Sequence, residues 1–322
     1  MHDALGLRTC LDTWSIKLNT YIMSNVNLYY NSNIDQVFRT DQFDLLTMKL
    51  NGVVRNPGSL RDELINNAQA IHQEYPDIYI ALSGGWESQI CLQAFIDAGI
   101  KPNVVIIKYP ANLNDQDTGP AIETCKKHGI TPKIIPGIFD QFIAGGLVPT
   151  VEKYQCYSLL TAFFARIAEL ANMDILVVDK VELKRDVNPN RAWNFVRSED
   201  AMMWPKRFNA INKRKIITNF FCYSPESMLS FLTLPTVATV VSNHASGKIS
   251  LVSLKQKLYR EGGFDMPMYY RTVGTDRIQG LNASAIETID NTIKFKSRSA
   301  YVDYNSLILA LTNQGKKEWQ YI

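Results

Sequence analysis

Asp77-Ile78-Tyr79-Ile80-Ala81-Leu82-Ser83-Gly84-Gly85-Trp86-Glu87-Ser88 is a short apolar run that passes straight into two glycines and then an acidic residue. Ile78–Leu82 reads as a buried strand, Ser83–Gly85 as a tight turn, and Glu87 as the first turn of a helix. Two glycines let the main chain turn sharply and approach an anion with no Cβ in the way. The N–H groups at a helix N-terminus, with the helix dipole behind them, favour a phosphate there. Ser83 and Ser88 each add a hydroxyl. A glycine pair after a strand is often only a turn, but the full order of strand, Ser-Gly-Gly and helix is rarer. It makes Ser83, Gly84, Gly85, Trp86, Glu87 and Ser88 candidate nucleotide-binding residues.

Outward from this stretch, strand and helix patterns alternate. After Ile78–Leu82 comes a helix with apolar positions Ile90, Cys91, Ala94, Phe95 and Ala98, stopped by Gly99. Val104–Ile107 is a second strand. A polar loop from Ala111 to Gly119 precedes a helix around Ala121, Ile122 and Cys125, closed by Gly129. Pro132–Pro136 is a third strand, Leu159 to Ala171 a long helix, and Asp174–Val178 a fourth, apolar strand. Strands apolar on both faces and alternating with helices predict an α/β fold, an open parallel sheet with helices on both faces. Right-handed crossovers bring the fourth strand back against the free edge of the first. A crevice then opens between their carboxyl ends, where open α/β sheets bind ligands. The glycine loop ends the first strand and Asp179 the fourth, with Glu182 close behind.

Residues 1–70 read as a small N-terminal add-on layer. It has β-like runs at Trp14–Met23 and Val26–Tyr30 and a turn at Asn31-Ser32-Asn33. Asp41–Leu50 fits either a short helix or a strand, and Leu60–His72 is a helix with Ser59 as N-cap. Residues 71–322 form the main domain, mainly helical beyond residue 205. There Ser224-Pro225-Glu226 gives a cap, a proline and an acid at a helix start, with Met228, Leu229, Phe231 and Leu232 on the buried face.

The 322 residues are 46% hydrophobic and 20% charged, an ordinary globular balance, and a net charge of +3 is too small to call for a nucleic-acid partner. No stretch approaches the apolar length of a membrane span, and Met1-His2-Asp3-Ala4 lacks the layout of a signal peptide. The five cysteines, Cys10, Cys91, Cys125, Cys156 and Cys222, form no Cys-x-x-Cys pair, which argues against a zinc site or a disulfide framework. A reducing cytoplasm is the expected location, and the sequon at Asn282 is expected to be chance. The four histidines, His2, His72, His128 and His244, stand far apart. Lys206, Arg207, Lys213, Arg214 and Lys215 interleave with Trp204, Phe208 and Phe220. That pattern suits either a phosphate backbone with stacked bases or a basic rim above a nucleotide.

The six residues Ser83 to Ser88 resemble the Ser-Gly-Gly-x-Asp-Ser pyrophosphate loop of the ATP pyrophosphatases, which split ATP into AMP and pyrophosphate while activating a substrate. Asn112-Leu113-Asn114-Asp115-Gln116-Asp117, followed by Ala121, resembles the segment after the second strand in the synthetase domain of asparagine synthetase, where an Asp lies beside the nucleotide. Phe221 to Pro235 is similar to a later segment of that family. So is Lys255-Gln256-Lys257-Leu258-Tyr259-Arg260 with Met266-Pro267 and Arg271. The pieces keep the family's order from residue 77 to residue 275.

This resemblance implies a Rossmann-like PP-loop fold, ATP and Mg2+ as cofactors, and a ligase-like reaction. A carboxylate or amide oxygen would be adenylated, and an amine would then displace AMP. Nucleotide contacts fall to Ser83–Ser88 and Asp117. Lys257 would be the cation that neutralises leaving pyrophosphate, with Lys255 as its competitor, and Glu87 and Asp179 would be catalytic and share the metal. Lys257→Ala should then lower turnover more than ATP affinity. Gly84→Val should abolish binding and leave the fold largely intact.

The chain also departs from the family. Glu87 stands where Asp is usual, one methylene longer, so a metal there must shift or be met through water. Gln89 stands where a hydroxyl residue is common. Residue 2 is His rather than the cysteine nucleophile of glutamine-dependent members, so no glutamine hydrolysis is expected. Cysteine pairs of thiolating members and a tail cysteine beyond Cys222 are missing. The alternatives are a phosphoadenylylsulfate-reductase-like or nucleic-acid-modifying enzyme of the same superfamily, and a nucleotide-binding scaffold without turnover. Expected partners are ATP and an unidentified small-molecule or nucleic-acid acceptor, with no membrane and a homo-oligomer left open.

Overall fold

A computed structural model describes residues 25–30, 35–109, 112–179, 181–185, 193–242, 254–265, 283–313 and 317–321. The expected elements at Trp14–Met23 and Asn31–Asn33, together with Met266-Pro267 and Arg271, lie outside them. The first strands, β1 (Val26–Tyr30) and β2 (Leu46–Leu50), pair antiparallel from Val26↔Leu50 to Tyr30↔Leu46. The segment that suited either helix or strand is thus a strand. Its start is set by Asp44, whose carboxylate accepts from the N–H groups of Thr40 and Asp41 and folds the preceding residues into a turn. Helix α1 (Leu60–Glu74) begins at the expected Ser59. The Ser59 hydroxyl accepts from Asp62 N–H, and the Asp62 carboxylate accepts from Ser59 N–H. Ser59→Ala is expected to cost about 1 kcal/mol, read as a lowered urea midpoint.

The core follows as β3 (Tyr79–Ala81), α2 (Trp86–Asp97), β4 (Asn103–Lys108), α3 (Asp115–Lys127) and β5 (Lys133–Pro136). Short α4 (Phe139–Gln141) runs through a wider turn into α5 (Leu147–Tyr154), and α6 (Leu159–Ala171) leads to β6 (Ile175–Leu176). Next come β7 (Leu183–Arg185), β8 (Trp193–Ser198), α7 (Glu199–Ile211) and β9 (Ile216–Ile217). The five-stranded sheet has the order β5-β4-β3-β6-β9, parallel throughout. β6 therefore lies against β3, Tyr79 opposite Ile175 and Ile80 opposite Leu176, as the crossover rule requires.

Alternation along these strands fills both faces. Ile80, Val104, Ile106 and Leu176 belong to one buried cluster with α1 and α2 residues such as Leu64, Ile71 and Phe95. Tyr79, Val105 and Ile175 face the other, with Phe163, Ile167 and Phe208. Each fully buried aliphatic side chain contributes about 1.5–3 kcal/mol.

Helices α8 (Pro225–Leu232), α9 (Pro235–Ser242) and α10 (Lys255–Glu261) bear out the helical reading beyond residue 205. The Ser224 hydroxyl caps α8 by accepting from Ser227 N–H, and Met228, Leu229, Phe231 and Leu232 are buried. Strands also occur there. β10 (Ser299–Asp303) joins β8 and β7 in an antiparallel sheet, and β11 (Lys317–Tyr321) pairs with β2. The N-terminal layer thus takes its third strand from the far end of the chain. β9 has two residues and β7 three, too few to show a period of two in the sequence.

One helix start needs correction. The loop expected to reach Gly119 ends earlier, because α3 begins at Asp115 and carries Pro120 inside it. The Asn114 carbonyl accepts from the N–H groups of Asp117 and Thr118, so the first helical turn closes before Gly119.

Candidate functional site

The Ser83–Ser88 loop leaves the carboxyl end of β3 at the middle of the sheet, beside the end of β6. Gly84 sits at φ +78°, in the left-handed region, and a Cβ there would stand 1.9 Å from the Asp117 carbonyl oxygen. Loop and α3 thus meet backbone to backbone, which requires glycine. The expectation that Gly84→Val spares the fold is therefore wrong. Gly85 is the N-cap of α2, extended at φ −73° and ψ 159°, and no side chain caps the helix behind it. Its first-turn N–H groups have the character that favours an anion.

The hydroxyls divide their work. Ser88 Oγ donates to the Gly85 carbonyl at 3.0 Å and accepts from Ser83 N–H at 3.3 Å, so it braces the turn from inside. Ser83 is exposed at the loop's mouth. Gln89 is a second brace. Its amide donates to the Gly84 carbonyl at 2.8 Å, and its oxygen accepts from the Thr124 hydroxyl of α3 at 3.2 Å. Asn114 pins the end of β4, donating to the Ile107 carbonyl and accepting from Tyr109 N–H, both at 2.8 Å. Asp117, in the first turn of α3, is buried behind Gly84.

Helix α10 lies over the start of α2. The Lys255 ammonium is ion-paired with the buried Glu87 carboxylate. Tyr259, one turn on, hydrogen-bonds Glu87 and stacks on Trp86 with ring centroids 6.2 Å apart. Burial, then the Glu87 charge and hydrogen bond, push the Tyr259 hydroxyl pKa well above its usual value. Lys257 lies elsewhere, two-thirds exposed and 3.9 Å from Glu261. The structure thus brings Lys255, rather than Lys257, to the loop.

At the end of β6, Asp179 Oδ2 is 2.9 Å from Nη1 of the buried Arg197 on β8. Arg197 Nη2 also reaches Cys222 Sγ at 2.8 Å, behind the end of β9. Burial pushes the Cys222 thiol pKa up, against the pull of Arg197. Sequence reading missed Arg197, because a cation inside a short strand carries no local signal. Glu87 and Asp179 are each held by a basic side chain, and no three His, Cys, Asp or Glu residues come together among the described residues to hold a metal. The two carboxylates do not form a ready-made Mg2+ site.

The segment from Trp204 to Phe221 is not the surface its composition suggested. Trp204, Arg207, Phe208 and Phe220 are buried, and Lys206 Nζ donates to the Leu28 carbonyl at 2.5 Å. Burial brings the Lys206 ammonium pKa down to about 7. Trp204, Arg207 and Phe208 share one inward face of α7, so these aromatics cannot stack on bases. Lys213 and Arg214 remain exposed.

No family model matches the chain, and no curated protein matches it in sequence. Among solved structures it is similar to an NMN synthetase from Francisella tularensis, at 15% identity, 72% of this chain, 91% of that one and a TM-score of 0.29. It is also similar to an NH3-dependent NAD synthetase from Campylobacter jejuni subsp. jejuni NCTC 11168, in complex with nitrate, at 14% identity, 73% and 92% coverage and a TM-score of 0.29. Neither is an asparagine synthetase, and with TM-scores this low the fold stands on its strand order alone. Among the described residues, no helix is long and apolar enough to cross a membrane.

Proposed function

We propose that the chain binds ATP at Ser83–Ser88 and transfers its adenylyl group to an acceptor, releasing pyrophosphate. The observation that carries this reading is the loop itself, with Gly84 in the left-handed region and the α2 N-terminus uncapped at the carboxyl end of the central strand. First-turn N–H groups gather the β and γ phosphates as one unit and leave the α-phosphorus open. An acceptor carboxylate or amide oxygen attacks it, the bond between the α-phosphorus and the bridging oxygen breaks, and pyrophosphate departs with the electron pair. An amine then displaces AMP, a far better leaving group than a carboxylate oxygen. The cationic role passes from Lys257 to Lys255, whose ammonium already reaches the first turn of α2. A positive charge there stabilises the departing pyrophosphate. Asp117 supports the loop from behind, and Asp179 follows the neighbouring strand β6, paired with Arg197.

Calorimetric titration with ATP tests binding, and chromatography of the nucleotide products with an acceptor tests the chemistry. AMP and pyrophosphate are expected; ADP and phosphate would refute the mechanism. Lys255→Ala should lower turnover about a hundredfold with a smaller effect on ATP affinity, while Lys257→Ala should change neither. The reverse pattern would return the role to Lys257. A second reading, a nucleotide binder without turnover, draws on the Glu87 carboxylate being held by Lys255 and Tyr259. Saturable ATP binding with no AMP across a broad acceptor screen would favour it.

A further inference from the structure

Beside the loop, between α2 and α3, lies a cleft of about 590 Å3 roofed by the Gly263–Asp265 turn that follows α10. Its polar groups fall into two sets. Arg61 donates to Asp97 Oδ2 at 2.9 Å, Gln93 donates to Asp97 Oδ1 at 2.7 Å, and Asp265 lies 3.4 Å from Arg260. Those side chains are engaged within the protein. Glu123, Lys127 and His128 are not, having no side-chain hydrogen bond or ion pair among the described residues. They project from one stripe of α3 and its end, with Glu123 and Lys127 one turn apart.

We propose that this cleft binds a small zwitterion, a free α-amino acid, with its carboxylate on Lys127 and His128 and its ammonium on Glu123. A simple anion would satisfy Lys127 but meet Glu123 as a like charge, and a simple cation would meet Lys127 in the same way. A ligand bearing both charges a few bonds apart satisfies both. The Thr124 hydroxyl, which also lines the cleft, is the one that donates to Gln89, and Gln89 holds the Gly84 carbonyl. The roof continues from α10, whose Lys255 and Tyr259 hold Glu87. The ligand therefore touches the Thr124–Gln89 brace of the Ser83–Ser88 loop and changes its affinity for ATP. This coupling rests on the nucleotide reading; the amino-acid site itself does not.

The test is calorimetric titration of the full chain, without nucleotide, with the proteinogenic amino acids one at a time and with acetate and methylammonium as half-ligands. At least one amino acid should bind more tightly than either half-ligand. Glu123→Gln and Lys127→Gln, both at exposed positions, should each weaken it about tenfold. Absence of binding by any amino acid, acetate binding as tightly, or unaltered affinity in both variants would overturn the site. ATP titrations with and without the bound amino acid then read the coupling, which must be reciprocal. Gln89→Leu should reduce it, and an ATP affinity indifferent to the amino acid would overturn the coupling. A protein that binds the amino acid but no ATP would refute the nucleotide reading and leave the amino-acid site standing.

Discussion

Gly84→Ala is expected to destabilise the whole protein, not merely to empty the loop. Two costs combine. At φ +78° a residue with a Cβ is strained by about 1–3 kcal/mol. The new methyl would also stand 1.9 Å from the Asp117 carbonyl oxygen and 2.8 Å from its carbon. That neighbour is backbone in the first turn of α3 and cannot swing aside, so over-packing adds about 1–3 kcal/mol. The sum, about 2–6 kcal/mol, is a large share of the stability of an ordinary domain. Gly85→Ala is the control, since φ −73° and ψ 159° suit alanine. It should lose much less stability, so reduced ATP binding there would report on the loop rather than the fold. Urea denaturation followed by circular dichroism reads both. A Gly84→Ala protein as stable as its parent would mean that the loop does not rest on α3.

What the sequence made legible was whatever a short stretch can encode. Ile78–Ser88 is local, and it carried the strand, the turn, the helix start and, through crossover handedness, the neighbour on the sheet. Ser59 and Ser224 announced their helices because capping needs only the next three residues. Lys255 was harder to separate from Lys257, because two positions on one helix differ only in where that helix docks. The α10 packing on Trp86 decides it, a contact between residues far apart in the chain. The basic and aromatic run of α7 misled because periodicity cannot tell which face of a helix turns inward when both residue types recur along it. β7 and β9 are held by neighbours rather than by their own propensity.

Glu199→Ala is expected to cost about 3–5 kcal/mol, from a cluster with no local trace in the sequence. Glu199 and Arg207, both at 0% exposure, lie on α7 beneath β1. The Glu199 carboxylate accepts from the Tyr30 hydroxyl, from the Tyr157 hydroxyl at 2.8 Å and from Arg298 N–H at 2.9 Å. Arg207 donates to the Tyr30 hydroxyl at 2.6 Å, the Gln155 carbonyl at 2.6 Å and the Val37 carbonyl at 2.9 Å. Its Nη2 lies 3.7 Å from Glu199. The network ties the N-terminal layer, the helices over the sheet and the segment before β10 into one body. Removing Glu199 alone strips the buried guanidinium of the carboxylate it is paired with. Arg207→Met strands the carboxylate in the same way. The double variant Glu199→Ala/Arg207→Met leaves neither charge buried alone, so its loss should fall well short of the two single losses added together. Urea midpoints with an unchanged denaturant slope are the reading to take. Strictly additive losses, or a Glu199→Ala loss below about 1 kcal/mol, would mean that the pair behaves as a solvated surface contact and does not join the layers.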